Sequence, residues 1–324
     1  MINHEAMKTI IDPIPVNKLL EELTLERFVR MTNNGKNEIY VVNAFNAPNV
    51  MREIGRLREI SFRDSGGGTG LDCDLDAFDT NPDNYFEQLI VWNPEDKAIV
   101  GGYRYMLCDH LKPIGDGRID TPTGELFRYS EKFIKEYLPY TIELGRSFVQ
   151  PEYQPSKSLS KGMYSLDNLW DGLGSLCKTI PQAKYFFGKV TMYPQLERTS
   201  RDMILYFMKT NFPDPDRLLE PWPELELPIL MDEAELKDIF TGKDYNENYR
   251  ILVKNVRERG AAVPPLVNAY MNLSSTMRSF GTAINPPFGN VEETGILVTI
   301  ADIFSSKIER YTNYDHQRRP LHLQ

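Results

Sequence analysis

The chain has 324 residues, of which 41% are apolar and 26% charged, with a net charge of −9 and three cysteines. That length can bury a sizeable core, and the composition is that of a globular chain rather than a disordered or fibrous one. The acidic balance argues against an extended nucleic-acid surface, and Cys73, Cys108 and Cys177, odd in number and without CxxC spacing, argue against a disulfide framework or a zinc cluster.

In chain order, apolar spacing predicts an amphipathic helix over Val16–Met31, ended by Asn33, Asn34 and Gly35. A short strand over Glu38–Val42 and a second helix over Asn49–Phe62 follow. The segment SGGGTG, Ser65–Gly70, has no strand leading into it and no GK[ST] after it, so it reads as a flexible loop over a site. Asp72, Asp74, Asp76 and Asp79 lack the glycine and terminal glutamate of a calcium loop and, taken alone, read as a solvated turn.

Phe86–Trp92 and Ala98–Leu107 flank the turn NPEDK and predict a hairpin. Arg104 lies inside its second strand, where an unpaired charge is costly, so an acidic partner is expected. A short helix, SEKFIKEYL, precedes a strand over Tyr140–Val149 that stops at Pro151. Glu143 and Arg146 sit within that apolar strand, either as a pair closing the sheet or as chemistry. A polar loop with Lys157 and Lys161 leads into an amphipathic helix over Met163–Lys178.

A strand over Tyr185–Met192 and a helix over Gln195–Thr210 come next. Asn211–Leu230 is rich in proline and acid, and is the best candidate for a linker and subdomain seam. Helices are predicted over Asp232–Phe240, Asn246–Arg259 and Pro265–Arg278, with late strands at Ser279–Ala283 and Gly295–Ile300. The expected organisation is an N-terminal helix and strand segment (1–45), a core (46–210), the linker (211–230), helices and strands completing the domain (231–312) and a basic tail (313–324).

The four histidines are scattered, and HExxH, GxSxG, P-loop and dinucleotide fingerprints are missing, which argues against a metal site and against nucleotide cofactors. What remains is a set of carboxylates and arginines at strand ends or inside strands: Asp74, Asp76, Asp79, Arg104, Glu143 and Arg146. No run approaches the ~18 apolar residues of a spanning helix. A cytoplasmic protein is therefore expected, with any membrane contact peripheral and driven by a lipid product.

The order of these residues resembles the GNAT-type acyltransferases that use acyl carrier protein. These are the acyl-homoserine-lactone synthases and the ornithine-lipid or amino-acid N-acyltransferases often labelled hemolysin-like. The matching positions are Arg58 and Phe62, then Asp74, Asp76 and Asp79, then Val100, Gly101 and Arg104, then Glu143, Leu144 and Arg146 running into Val149, Pro151 and Tyr153, and then Leu169 and Trp170. Pro264, Pro265, Leu266, Tyr270 and Leu273 match a downstream segment of the lipid-forming members.

The resemblance implies a mixed α/β fold, mostly antiparallel, with helices on both faces and a helical C-terminal extension. The strands Tyr140–Val149 and Tyr185–Met192 would splay to receive a phosphopantetheine arm. It further implies transfer of a long-chain fatty acyl group, with or without a 3-hydroxyl, from the thioester of acyl carrier protein to an amino acid such as glycine or ornithine. No tightly bound cofactor is expected, and acyl-CoA fits less well because QPSKSLSKGMYS lacks the R/Q-x-x-G-x-G/A pyrophosphate signature.

In this reading Glu143 is the base and Arg146 orients it or holds an acceptor carboxylate. Arg58, Phe62 and the three aspartates with Arg104 form an ion network at the acceptor end. Ser147, Val149, Lys157 and Lys161 serve the donor, although a solvated loop accounts equally for the two lysines. Positions 143 and 146 have opposite parity, so a bulge near Gly145 or a separate partner for Arg146, such as Asp74 or Asp76, is required. An acetyltransferase using acetyl-CoA on a small amine and a non-catalytic binding scaffold are the alternatives.

Overall fold

A computed structural model describes residues 7–313 and 320. The chain passes between two units: one takes the described residues up to Leu107, Ile142–Ala183 and those from Ser305 onward, and the other takes Cys108–Thr141 and Lys184–Phe304.

The first unit begins with α1 (Val16–Glu22), which stops well short of Met31. Phe28–Met31 is instead a strand, β1, paired antiparallel with β2 (Glu38–Val42). Leu23 closes the helical pattern, and pairing overrides propensity in the next segment, where Phe28 meets Tyr40 edge to face at 5.6 Å. α2 (Pro48–Asp64) starts on a proline at its first turn and buries Val50, Met51, Ile54, Leu57 and Phe62. A single turn, α3 (Ala77–Thr80), leads to the hairpin of β3 (Glu87–Asn93) and β4 (Ala98–Leu107), as the sequence predicts.

The chain then enters the second unit through β5 (Pro113–Gly115), β6 (Arg118–Ile119) and β7 (Phe127–Tyr129), and a π-helical turn at Phe133–Tyr137 occupies the SEKFIKEYL segment. It returns along β8 (Thr141–Val149), antiparallel to β4. Gly101 makes that pairing possible, since a Cβ there would lie 2.3 Å from the Phe148 carbonyl oxygen. The strands of the first unit thus run β1-β2-β3-β4-β8, each pair antiparallel. α4 (Leu159–Gly162) and α5 (Ser165–Thr179) follow, and Gly172 of α5 lies close against Leu89 and Tyr103 on one face of the strands.

In the second unit β9 (Tyr185–Met192) has the predicted bounds, and α6 (Arg198–Asn211) follows it. Residues 211–230 lie within this unit: β10 (Leu219–Pro221) pairs with β7, and Leu218 and Leu219 join a core of Phe127, Phe133, Phe187, Phe280 and Leu297. Helices α7 (Glu233–Ile239), α8 (Tyr245–Glu258) and α9 (Pro265–Met271) come next. α9 ends well before Arg278, because Arg278 opens β11 (Arg278–Asn285). β12 (Val291–Thr299) pairs with both β11 and β9.

A helix the sequence reading did not anticipate, α10 (Ser305–Thr312), belongs to the first unit, where Tyr311 stacks on Trp170. The predicted basic tail lies outside the described residues except for Asn313 and Pro320. Among the described residues no helix is long and apolar enough to cross a membrane.

Candidate active site

α2 places Arg58 on its buried face, fully inaccessible, one turn before the buried Phe62. Arg58 Nη1 donates to both carboxylate oxygens of Asp79, at 3.0 and 3.2 Å, and its Nη2 donates to the Gln88 amide oxygen. The Gln88 amide nitrogen donates to Asp79 Oδ1 at 3.0 Å. Asp79 belongs to the turn capped by Asp76, whose backbone N–H donates to Asp79 Oδ2 at 3.2 Å. The aspartates do not all form a solvated turn: Asp74 and Asp79 are buried to 0% exposure, Asp76 reaches solvent in part, and only Asp72 is fully on the surface.

Arg104 is the acidic cluster's second partner. Its Nη1 lies 2.7 Å from Asp76 Oδ1 and 3.2 Å from Asp79 Oδ2, and the guanidinium sits 5.2 Å from the Phe86 ring centre. Arg146 completes the set, with Nε 3.0 Å from Asp74 Oδ2 and Nη2 3.7 Å from Asp76 Oδ2. Three guanidiniums thus face three carboxylates, which is how the fold tolerates this much buried charge.

The parity conflict between Glu143 and Arg146 is resolved by the backbone. Gly145 pairs with Arg104 and Phe148 with Gly102, so Arg146 and Ser147 together oppose Tyr103 alone. That bulge has Arg146 at φ 51°, in the left-handed region. Glu143 pairs with Met106 across the ladder, on the same face as Arg104 and Gln88, and the bulge turns Arg146 onto its aspartate partners there. Both devices considered from the sequence, a bulge and an aspartate partner, occur together. Glu143 itself is buried, at 1% exposure.

The donor-side residues divide. Ser147 lies in the bulge and Val149 pairs with Gly101. Lys161, on α4, is held by Asp96 at 2.8 Å, and Tyr153 donates to the same carboxylate at 2.5 Å. Lys157 is over half exposed, with its nearest carboxylate, Asp64, 4.0 Å away.

The glycine-rich loop is tied down rather than free. The Glu59 carboxylate, buried to 0% exposure, accepts from the Thr69 backbone N–H at 3.1 Å, the Thr69 hydroxyl at 2.7 Å and the Gly70 N–H at 2.7 Å. The positive φ angles at Gly66, Gly68 and Gly70 let the loop wrap around that carboxylate. Neither Glu59 nor Gln88 was anticipated from the sequence, although Gln88 is the one polar residue central to the run FEQLIVW.

Burial pushes the Asp79 pKa up, but Arg58 and Arg104 outweigh it and hold the group well below the usual carboxylate range. A depressed folded pKa gives stability that is complete above about pH 4 and lost as pH falls through the folded value. Asp74 has the opposite sign: burial raises its pKa despite Arg146, so its contribution is largest in acid and falls as pH rises. Thermal melts from pH 7 to pH 2 should therefore show an acid loss of stability that Asp79→Asn flattens; an unchanged slope in that variant would remove Asp79 as its source.

Residues 57–163 match a family model described as an acetyltransferase (GNAT) domain. The chain is 53% identical over 305 residues to a glycine N(alpha)-acyltransferase of Bacteroides thetaiotaomicron, covering 94% of this chain and 90% of that one. The chain belongs to this GNAT family of amino-acid N-acyltransferases. A glycine N(alpha)-acyltransferase of Phocaeicola vulgatus is 52% identical over 94% of this chain and 93% of its own length. An L-ornithine N(alpha)-acyltransferase of Brucella abortus is 25% identical over 74% of each chain. No solved structure matches the chain.

The acyltransferase carries this arginine–aspartate network, from Arg58 to Arg146, inside the matched GNAT segment, and the lysine-bearing loop as well. The binding-scaffold alternative is set aside by this membership, and the protein is an enzyme that acylates amino acids.

Proposed function

We propose that this acyltransferase moves a long-chain fatty acyl group, plain or 3-hydroxylated, from the phosphopantetheine thioester of acyl carrier protein to the amino group of glycine. The product would be an N-acylglycine, a single-chain aminolipid. The observation that carries the choice of acceptor is the 53% identity, over nearly the whole of both chains, with a protein named for glycine.

In this mechanism Glu143 takes a proton from the glycine ammonium, directly or through one water, and frees the amine to attack the thioester carbon. The tetrahedral oxyanion is met by backbone N–H donors of β8 around Ser147 and Val149, where the bulge interrupts the ladder with β4. Collapse expels the phosphopantetheine thiolate, which takes up the proton that the attacking nitrogen sheds, directly or through Glu143, and leaves the amide.

The arginine–aspartate network is placed as the frame of this site. Its charges satisfy one another in the interior, and only its edge, Arg146 and Asp76, reaches solvent where an acceptor could meet it. Lys157 is assigned to the carrier protein's acidic surface, because Lys161 is already engaged by Asp96.

The donor assignment is tested by steady-state rates with palmitoyl-acyl carrier protein, palmitoyl-CoA and acetyl-CoA, each at matched concentration with glycine. The expected order of kcat/KM is carrier protein first, by at least about tenfold (1.4 kcal/mol). Equal use of the CoA thioesters would overturn the carrier-protein donor while leaving the acceptor untouched.

A further inference from the structure

The second unit holds a different polar cluster, on the face of β9 and β12 that carries Phe187 and packs against Phe127 of β7. Glu292 and Glu293 are adjacent on β12 and point to opposite faces. Glu292 is closed off, with Arg201 Nε at 2.5 Å and Arg198 Nη1 at 2.7 Å. Glu293 is not. Its contacts are Lys189 Nζ at 3.7 Å, the Thr191 hydroxyl at 3.4 Å and Asn285 Nδ2 at 3.2 Å.

Lys189 is equally loosely held, donating to Thr123 Oγ1 at 3.3 Å. A buried ammonium and carboxylate that satisfy each other close to about 2.7–2.9 Å. These two side chains are only 12% and 7% exposed, and they stand apart with unused donor and acceptor capacity. Gly295, opposite Lys189 in the ladder, has no side chain, and the Phe127 ring lies 3.4 Å from where its Cβ would be, which leaves little room for a bulky ligand.

We propose that Lys189, Thr191, Asn285 and Glu293 form a binding site for a small free α-amino acid. The ligand carboxylate would sit on Lys189 and its ammonium on Glu293, with the Thr191 hydroxyl and the Asn285 amide completing the shell. A zwitterion lying across this loose pair would give each charge a second, closer partner, its carboxylate on the ammonium and its ammonium on the carboxylate, whereas a ligand carrying one charge would serve only one of the two. The proposal rests on the amino-acid acceptor reading and names where in the chain that acceptor is first held.

Equilibrium dialysis with labelled glycine tests it on the full-length wild type and on Lys189→Met, Glu293→Gln and Thr191→Val. Lys189→Met and Glu293→Gln should each weaken glycine binding at least about tenfold. Acetate and methylamine, each with half of the zwitterion, should compete far more weakly than alanine or glycine.

Thr191→Val keeps the ion pair and should weaken binding a few-fold, so it carries the test if the charge variants fail to fold. Unchanged glycine affinity in the folded variants, or no glycine binding by wild type, would overturn the site and leave a water-bridged ion pair. Binding lost in Lys189→Met while wild type transfers no acyl group to any amino acid would uphold the site and overturn the transfer reading instead.

Discussion

Glu143→Gln is expected to lower acyl transfer to glycine by about 10²–10⁴-fold, the usual span for removing a general base, while melting close to wild type. The substitution is nearly isosteric, and the residue stays hydrogen-bonding on a buried strand, so the fold should tolerate it. Loss of a base also has a signature that loss of packing does not. Raising the pH supplies more free amine, so the defect should shrink in alkaline solution, and KM for the acyl donor should hardly move. Wild-type activity in Glu143→Gln would sink the assignment. Lost activity with a melting point several degrees lower would instead make Glu143 a structural residue.

The second large effect is on stability. Arg58 meets Asp79 and Gln88 with no solvent access, so Arg58→Met leaves Asp79 buried with Arg104 as its one remaining ion-pair partner and the Gln88 amide oxygen without the Arg58 donor. Breaking one partner out of a buried pair costs about 3–5 kcal/mol, read by denaturant unfolding. Arg58→Lys should recover little of it. One ammonium on a flexible stem cannot bridge a carboxylate and an amide as the planar guanidinium does. A loss below about 1 kcal/mol in Arg58→Met would mean that solvent reaches the network and screens it.

The hairpin, β8 and β9 were legible because β-branched and aromatic residues run between clear turns. The buried charge network was legible through its order along the chain: Arg58, the three aspartates, Arg104 and Arg146 come together, and Glu143 shares their face of the strands. What could not be read was geometry. A bulge has no local spelling when its left-handed residue is an arginine instead of a glycine, so Arg146 could only be flagged as out of phase. The strand β1 was hidden by a helical leucine pattern that ends at Leu23, and it exists because β2 lies beside it.

Other features depended on partners distant in sequence. Asp72–Asp79 reads as a wet turn until Arg104 and Arg146 are folded against it. The glycine-rich loop looks free until Glu59, on the preceding helix, is seen to gather its N–H groups. Residues 211–230 look like a seam by composition, but Leu218 and Leu219 bind them into the second unit's core. In each case the local composition was that of an exposed segment, and a long-range contact decided otherwise.

The most direct measurement is a competition for the acceptor. Purified protein would receive one labelled long-chain acyl-acyl carrier protein together with equal amounts of the common amino acids and ornithine, and the products would be read by mass spectrometry. N-acylglycine as the main product is the result expected here. A product dominated by another amino acid would contradict glycine as the acceptor, and no N-acyl amino acid at all would contradict the proposed reaction.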